Sequence, residues 1–239
     1  MKYKKQISLI LGLLAITSSA SFATVTMNTQ FGVATATSAA AVPDGTLWAL
    51  IVDNGDNTLP GGLALNSGLN SSVNSSVVSA FNGVNFTLGT VFGGAGGDTV
   101  FALGAFNGTG VLGVAGSTSN SVAGLTLGVN GLVAARNFAF YFFPGVTFTT
   151  QSATYTANGQ VGGMNSTSAD AGAGTGPMVI PSEGATTNPG ASTFAGGDLG
   201  GSTPDATFRA VAISAAIPEP SAALLGAIGV LGLLRRRRN

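Results

Sequence analysis

The most obvious chemistry in this chain lies in the oxygen-rich run Asp53-Asn54-Gly55-Asp56-Asn57. Calcium takes about six to eight oxygen ligands, and such a run, helped by Asp44 or Asp98, offers several. The run lacks the EF-hand spacing, in which acids alternate and a glutamate closes the loop. Asp and Asn also tolerate left-handed backbone in tight turns, so a plain turn at a strand end is preferred. Asp53 and Asp56 stand as the calcium candidates. A second pattern, Gly108-Thr109-Gly110-Val111-Leu112-Gly113, matches the G-x-G-x-x-G of dinucleotide-binding loops. A genuine one opens a helix and has an acidic residue about 20 positions on. The next acid here is Asp170, and in a chain with 37 glycines a chance match is expected.

Paired carboxylates are the one catalytic route left open, as in glycoside hydrolysis. Glu183 with an aspartate is the candidate pair, and Glu183 falls in a predicted loop. The chain has no cysteine and no histidine, and no lysine follows Lys5. Thiol nucleophiles, thiolate or imidazole metal sites, histidine bases and lysine chemistry are therefore excluded from the body. No catalytic residue and no cofactor are assigned, and the chain reads as non-enzymatic. Asn-x-Ser/Thr sequons at Asn70, Asn74, Asn85, Asn107 and Asn165 read as coincidences of an Asn-, Ser- and Thr-rich sequence.

The elements that must position these residues read as strands. Val25, Met27, Phe31 and Val33 alternate with polar or small residues, the period of a strand with one face inward. Further strands are predicted over residues 46–53, 77–81, 84–92, 99–106, 122–129, 132–143, 148–156, 178–180 and 207–213. Asp53–Asp56, Asn82-Gly83, Asn107-Gly108, Asn130-Gly131 and Pro144-Gly145 supply turns between them. Residues 162–201, rich in Gly, Ser, Thr and Pro, are expected to be long loops around the 178–180 strand. The fold class is all-β, an antiparallel, jelly-roll-like β-sandwich over residues 24–216. Phe138, Phe140, Phe142 and Trp48 supply much of its core volume.

Charge separates this body from the two ends. Only 8% of residues are charged and the formal net charge is zero. The average hides an acidic body, where Arg136 and Arg209 face eight acids for a net of −6. Such a surface repels a phosphate backbone, so nucleic acid is excluded as a partner. Residues 1–23 have the form of a signal peptide: Lys2, Lys4 and Lys5, an apolar run over 7–16, then Ser21-Phe22-Ala23. Cleavage is expected after Ala23, with Ala20 the competing position.

The last segment, 217–239, reads Pro218-Glu219-Pro220, an uncharged stretch over 222–234, then Arg235, Arg236, Arg237 and Arg238. The prolines hold the chain extended where an enzyme can reach it, and Ser221 can cap an apolar helix. Thirteen residues make a helix of roughly 20 Å, short against a hydrocarbon core of about 30 Å. Snorkelling arginines bring insertion within reach and hold that end at anionic head groups. Gly226, Gly229 and Gly232 give the helix a smooth stripe for another membrane helix.

In this order, the tail resembles the PEP-CTERM sorting signal of Gram-negative bacteria, over about 22 residues from Ile217 to Arg238. The resemblance implies an exported protein held briefly in the inner membrane. It implies processing by exosortase near Pro218, Glu219 and Pro220, then delivery to the cell surface or extracellular matrix. The expectation is a structural surface or matrix protein, with extracellular polysaccharide as a partner. A carbohydrate-binding module, calcium-assisted, is the second reading, and a glycosidase-like enzyme the third.

Overall fold

The computed structural model describes residues 24–63, 80–93, 97–108, 115–165, 178–182, 191–196 and 210–212. The leader through Ala23, the tail from Pro218 to Arg238, Glu183, and the sequons at Asn70 and Asn74 lie outside these residues. Among the described residues no helix is long and apolar enough to cross a membrane.

The structure is all-β, with sheets that are antiparallel but for one pair. The described residues form eleven strands: β1 (Thr24–Phe31), β2 (Thr46–Val52), β3 (Val84–Phe86), β4 (Val91–Phe92), β5 (Asp98–Ala105), β6 (Thr118–Thr126), β7 (Phe138–Thr147), β8 (Tyr155–Ala157), β9 (Gln160–Met164), β10 (Ala191–Gly196) and β11 (Val211–Ala212). A six-stranded sheet runs β11-β9-β7-β2-β5-β4, a three-stranded sheet β10-β1-β6, and β3 pairs with β8. The exception is β10, which runs parallel to β1.

The apolar run of β2 explains the centre of the molecule. Every one of its seven residues is buried, because β7 and β5 flank it and both sheet faces are covered. Trp48, Leu50 and Val52 point to one core with Phe138, Phe140 and Phe142 of β7. Val25, Met27 and Phe31 of β1 close that core from the three-stranded sheet, Phe31 lying 3.8 Å from Phe140 between ring centroids. Leu47, Ala49 and Ile51 point the opposite way, into a second core with Tyr141, Phe143, Phe81, Phe86 and Phe92. A strand apolar on both sides needs a cover on both sides. Here a sheet supplies one cover, and turns with the β3–β8 pair supply the other. The expected contribution of Trp48 and the three phenylalanines holds.

Several predicted strands are corrected. Pro144-Gly145 does not end a strand; β7 runs through it, and Gly145 takes φ +86°. The register jumps there from Leu47↔Phe143 to Thr46↔Thr147, so Pro144, Gly145 and Val146 form a bulge with no partner on β2. Local composition says "turn" for both outcomes, and the partner strand decides between them. Residues 84–92 split into β3 and β4, and Ala80 with Phe81 form a helical turn instead of a strand. Residues 132–136 and 148–154 are irregular chain with short turns, and β6 begins four residues before its predicted start. Met178–Ile180 contributes a single bridge, Val179 to Asn137. The stretch expected as loops contains β10 and part of β9. The Asn158-Gly159 turn joins β8 to β9, two strands too short for alternation to show, the second also weakened by Gly162 and Gly163.

Candidate functional site

Two places bring chemistry-bearing groups together. The first is the acidic loop at the end of β2. Asp53 and Asp56 meet Asp98 at the start of β5, with carboxylate oxygens within 4.8 Å of one another. Asp98, and not Asp44, joins the pair. Asp44 instead lies against Gly108, where a Cβ would stand 2.8 Å from its Oδ2. That places an acid beside the first glycine of the G-x-G-x-x-G pattern, where a phosphate would be repelled.

The loop explains most of its own carboxylates. Asp53 accepts from the N–H groups of Gly55 at 2.8 Å and Asn57 at 3.2 Å. Asp56 accepts from Thr58 N at 2.8 Å, and Asp98 from Asn54 N at 3.2 Å. Asn57 takes φ +61°, the left-handed backbone that its amide tolerates. The Arg136 guanidinium fills the space a Cβ on Gly55 would need, and Asp53 N donates to Asn137 O. The run is thus a side-chain-capped turn docked on residues 136–137, as the turn reading expects. Burial pushes the Asp98 carboxyl up to about 7, against the Asn54 N–H, and Asp53 and Asp56 push it further. A proton held at Asp98 near neutral pH makes the trio able to give or take one. The three carboxyls also form the one group among the described residues whose spacing could hold a metal ion.

Beneath the loop, the Tyr141 hydroxyl donates to Pro60 O at 2.5 Å and pins the short 3-10 turn Pro60–Gly62 over the second core. Burial, then the Asp98 charge, holds this phenol well above its usual range.

The second place is a groove of about 520 Å³ between β5, beyond its short pairing with β4, and the edge strand β6. No described residue lining it is charged. Trp48 of β2 is among the residues that line it and is the register partner of Gly104 on β5. The contact is close: a Cβ on Gly104 would sit 2.2 Å from the indole. Trp48 is 2% exposed, and its Nε1 is buried without an acceptor. A buried donor left unpaired costs about 1–3 kcal/mol, and tryptophan N–H groups ordinarily find a partner. Sequence reasoning placed Trp48 in the core and missed the groove, because β5 and β6 become neighbours only through packing.

The sequons also separate. Asn85 and Asn107 are exposed, whereas Asn165 is fully buried and donates to Phe138 O. Glycosylation at Asn165 is closed by this burial. Comparisons with protein-family models, with curated proteins and with solved structures found no match to this chain.

Proposed function

We propose that this chain is an exported structural protein of the cell surface or extracellular matrix, sorted through its C-terminal segment and processed there by exosortase. The observation that carries this is the order Pro218-Glu219-Pro220, uncharged stretch 222–234, Arg235 to Arg238, together with the basic and apolar leader that ends at Ala23. The body is read as an antiparallel β-sandwich, which the packing of β10-β1-β6 on the six-stranded sheet supports. The described strands begin at Thr24 and end at Ala212. Cleavage after Ala23 and near Pro218 would leave every one of them in the mature chain. The membrane is a transient partner through the 222–234 stretch, and the reading assigns no catalytic residue and no cofactor.

Fractionation of cells making the full chain, beside cells making a variant that lacks 217–239, tests the tail. The expected outcome is membrane retention of the full chain and its loss in the variant; identical distributions overturn the proposal. Mass spectrometry of the mature protein should place its C-terminus near Pro218.

A carbohydrate-binding body is the second reading, and the uncharged groove beside Trp48 is the observation that favours it. Binding of the purified protein on a glycan array separates it from a purely structural role.

A further inference from the structure

We infer that the groove between β5 and β6 takes up residues 213–217 of a second copy of this chain as an added strand. This rests on the structural-protein reading and gives that protein a way to assemble. Six consecutive residues of β6 (121–126) and five of β5 (101–105) line the groove. A strand met on one face would offer only every second residue, so the groove runs along the edges of both strands. β6 is the outer strand of its sheet, and β5 pairs with β4 only at Asp98 and Thr99. A strand edge presents alternating N–H and C=O groups that another extended chain can match. Leu103 O and Ala105 O of β5 already accept from Gln151 Nε2 and Thr118 Oγ1, and Ser119 O of β6 from Asn107 Nδ2. Among the described residues, only β1 pairs with the backbone of residues 121–125, so the added strand is assigned to that edge of β6.

The occupant follows from size, charge and reach. A volume of about 520 Å³ is that of a small-ligand site, room for one strand and too little for a folded body. No described lining residue is charged, although residues 24–217 carry a net of −6. Phe101, Val122, Leu125 and Val129 give an apolar wall, and Val122 and Leu125 are only partly buried against the core. The sequence beyond β11 supplies a matching piece. Ile213-Ser214-Ala215-Ala216-Ile217 is uncharged and stops at Pro218, which has no N–H to continue a ladder. As a strand it would turn Ile213, Ala215 and Ile217 to the wall and Ser214 to solvent. The groove of its own copy is out of reach. The sheet order β11-β9-β7-β2-β5 separates β11 from β5 by four strand spacings, about 19 Å, and the groove lies beyond β5. Five residues span at most about 18 Å, so a segment crossing its own sheet would have none left to pair. Donor and acceptor stand at opposite sides of the sheet, so the contact is head-to-tail and builds rings or filaments.

Two measurements on the purified full chain test this. In sedimentation velocity the parent should show a concentration-dependent series of oligomers, and Ala215→Pro, which removes a donor N–H outside the described strands, should abolish it. The Ala215→Pro chain, whose own segment can no longer fill a neighbour's groove, is then titrated against a fluorescein-labelled peptide of residues 210–220. Saturable anisotropy is expected, at least about tenfold weaker when the peptide itself carries Ala215→Pro. Val129→Glu in the acceptor chain sets a charge on an exposed part of the wall and should weaken peptide binding at least about fivefold. Absence of peptide binding, or equal binding of the proline peptide, overturns the inference. So does binding that Val129→Glu leaves unchanged, which would place the segment elsewhere. Displacement of the peptide by cellohexaose would overturn it too, and return the groove to the carbohydrate reading. Because purified chains are used, failure here removes assembly through this groove and leaves the fractionation test of the tail standing.

Discussion

At the scale of single residues, Asp98 carries the clearest consequence. Its carboxyl is held up to about 7 in the folded chain against an ordinary 3.8, chiefly by burial. Between those values the folded state keeps a proton that the unfolded state has released. Stability therefore falls as pH rises through this window, and the contribution is lost above about pH 7. Asp98→Asn can still accept from Asn54 N but carries no charge. We expect it to flatten the pH 4–7 slope and to exceed the parent by about 1–2 kcal/mol at pH 8. Urea denaturation at both ends of the range measures this; a variant less stable than the parent at pH 8 would contradict it. The same loop gives a calcium prediction. Because its backbone N–H groups already engage Asp53, Asp56 and Asp98, calorimetry with millimolar Ca²⁺ should show no binding heat. A saturable heat that Asp56→Asn removes would reassign the loop to the metal.

At the scale of elements, two cross-strand pairs of aromatic residue and glycine hold the six-stranded sheet. Trp48 faces Gly104 on β5, and Phe142 faces Gly162 on β9. A Cβ on Gly162 would come within 2.0 Å of the Phe142 ring. Alanine fits a strand better than glycine in isolation, yet Gly162→Ala should cost about 1–3 kcal/mol through overpacking. Phe142→Leu in the same chain should recover part of that loss, which a double-mutant cycle by chemical denaturation reads directly. Additive losses would show that the two side chains do not compete for this space. Glycine at these positions registers in the sequence only as weak strand propensity, and that is why 162–201 reads as loop. The bulge at Pro144-Gly145 has the same origin: its composition is that of a turn, and only pairing with β2 carries the strand through.

At the scale of the whole molecule, charge sets the partners. A body with a net of −6 over residues 24–217 should not be retained on a phosphocellulose column at low salt. Retention that added salt reverses would point to a basic patch that the residue order does not contain. Under the proposed sorting, the leader and tail act before the body does. If their removal leaves the β body intact, the mature and full-length chains should show the same thermal midpoint, since the described strands lie between Thr24 and Ala212.

The amino-acid order by itself determined the all-β class, the aromatic core and the reading of the two ends. Alternation, Asn-Gly turns, and runs of like polarity or charge are local properties that need no partner strand to be seen. It also placed Asp53 and Asp56 in a turn, since those side chains cap backbone only a few residues away. Tertiary structure alone decided that Asp98 joins them across 42 residues of chain, that β2 is buried on both faces, and that β5 and β6 flank a groove beside Trp48. Each of these depends on register and layer packing, where groups distant in sequence come within a few ångströms. No periodicity within a single strand encodes that.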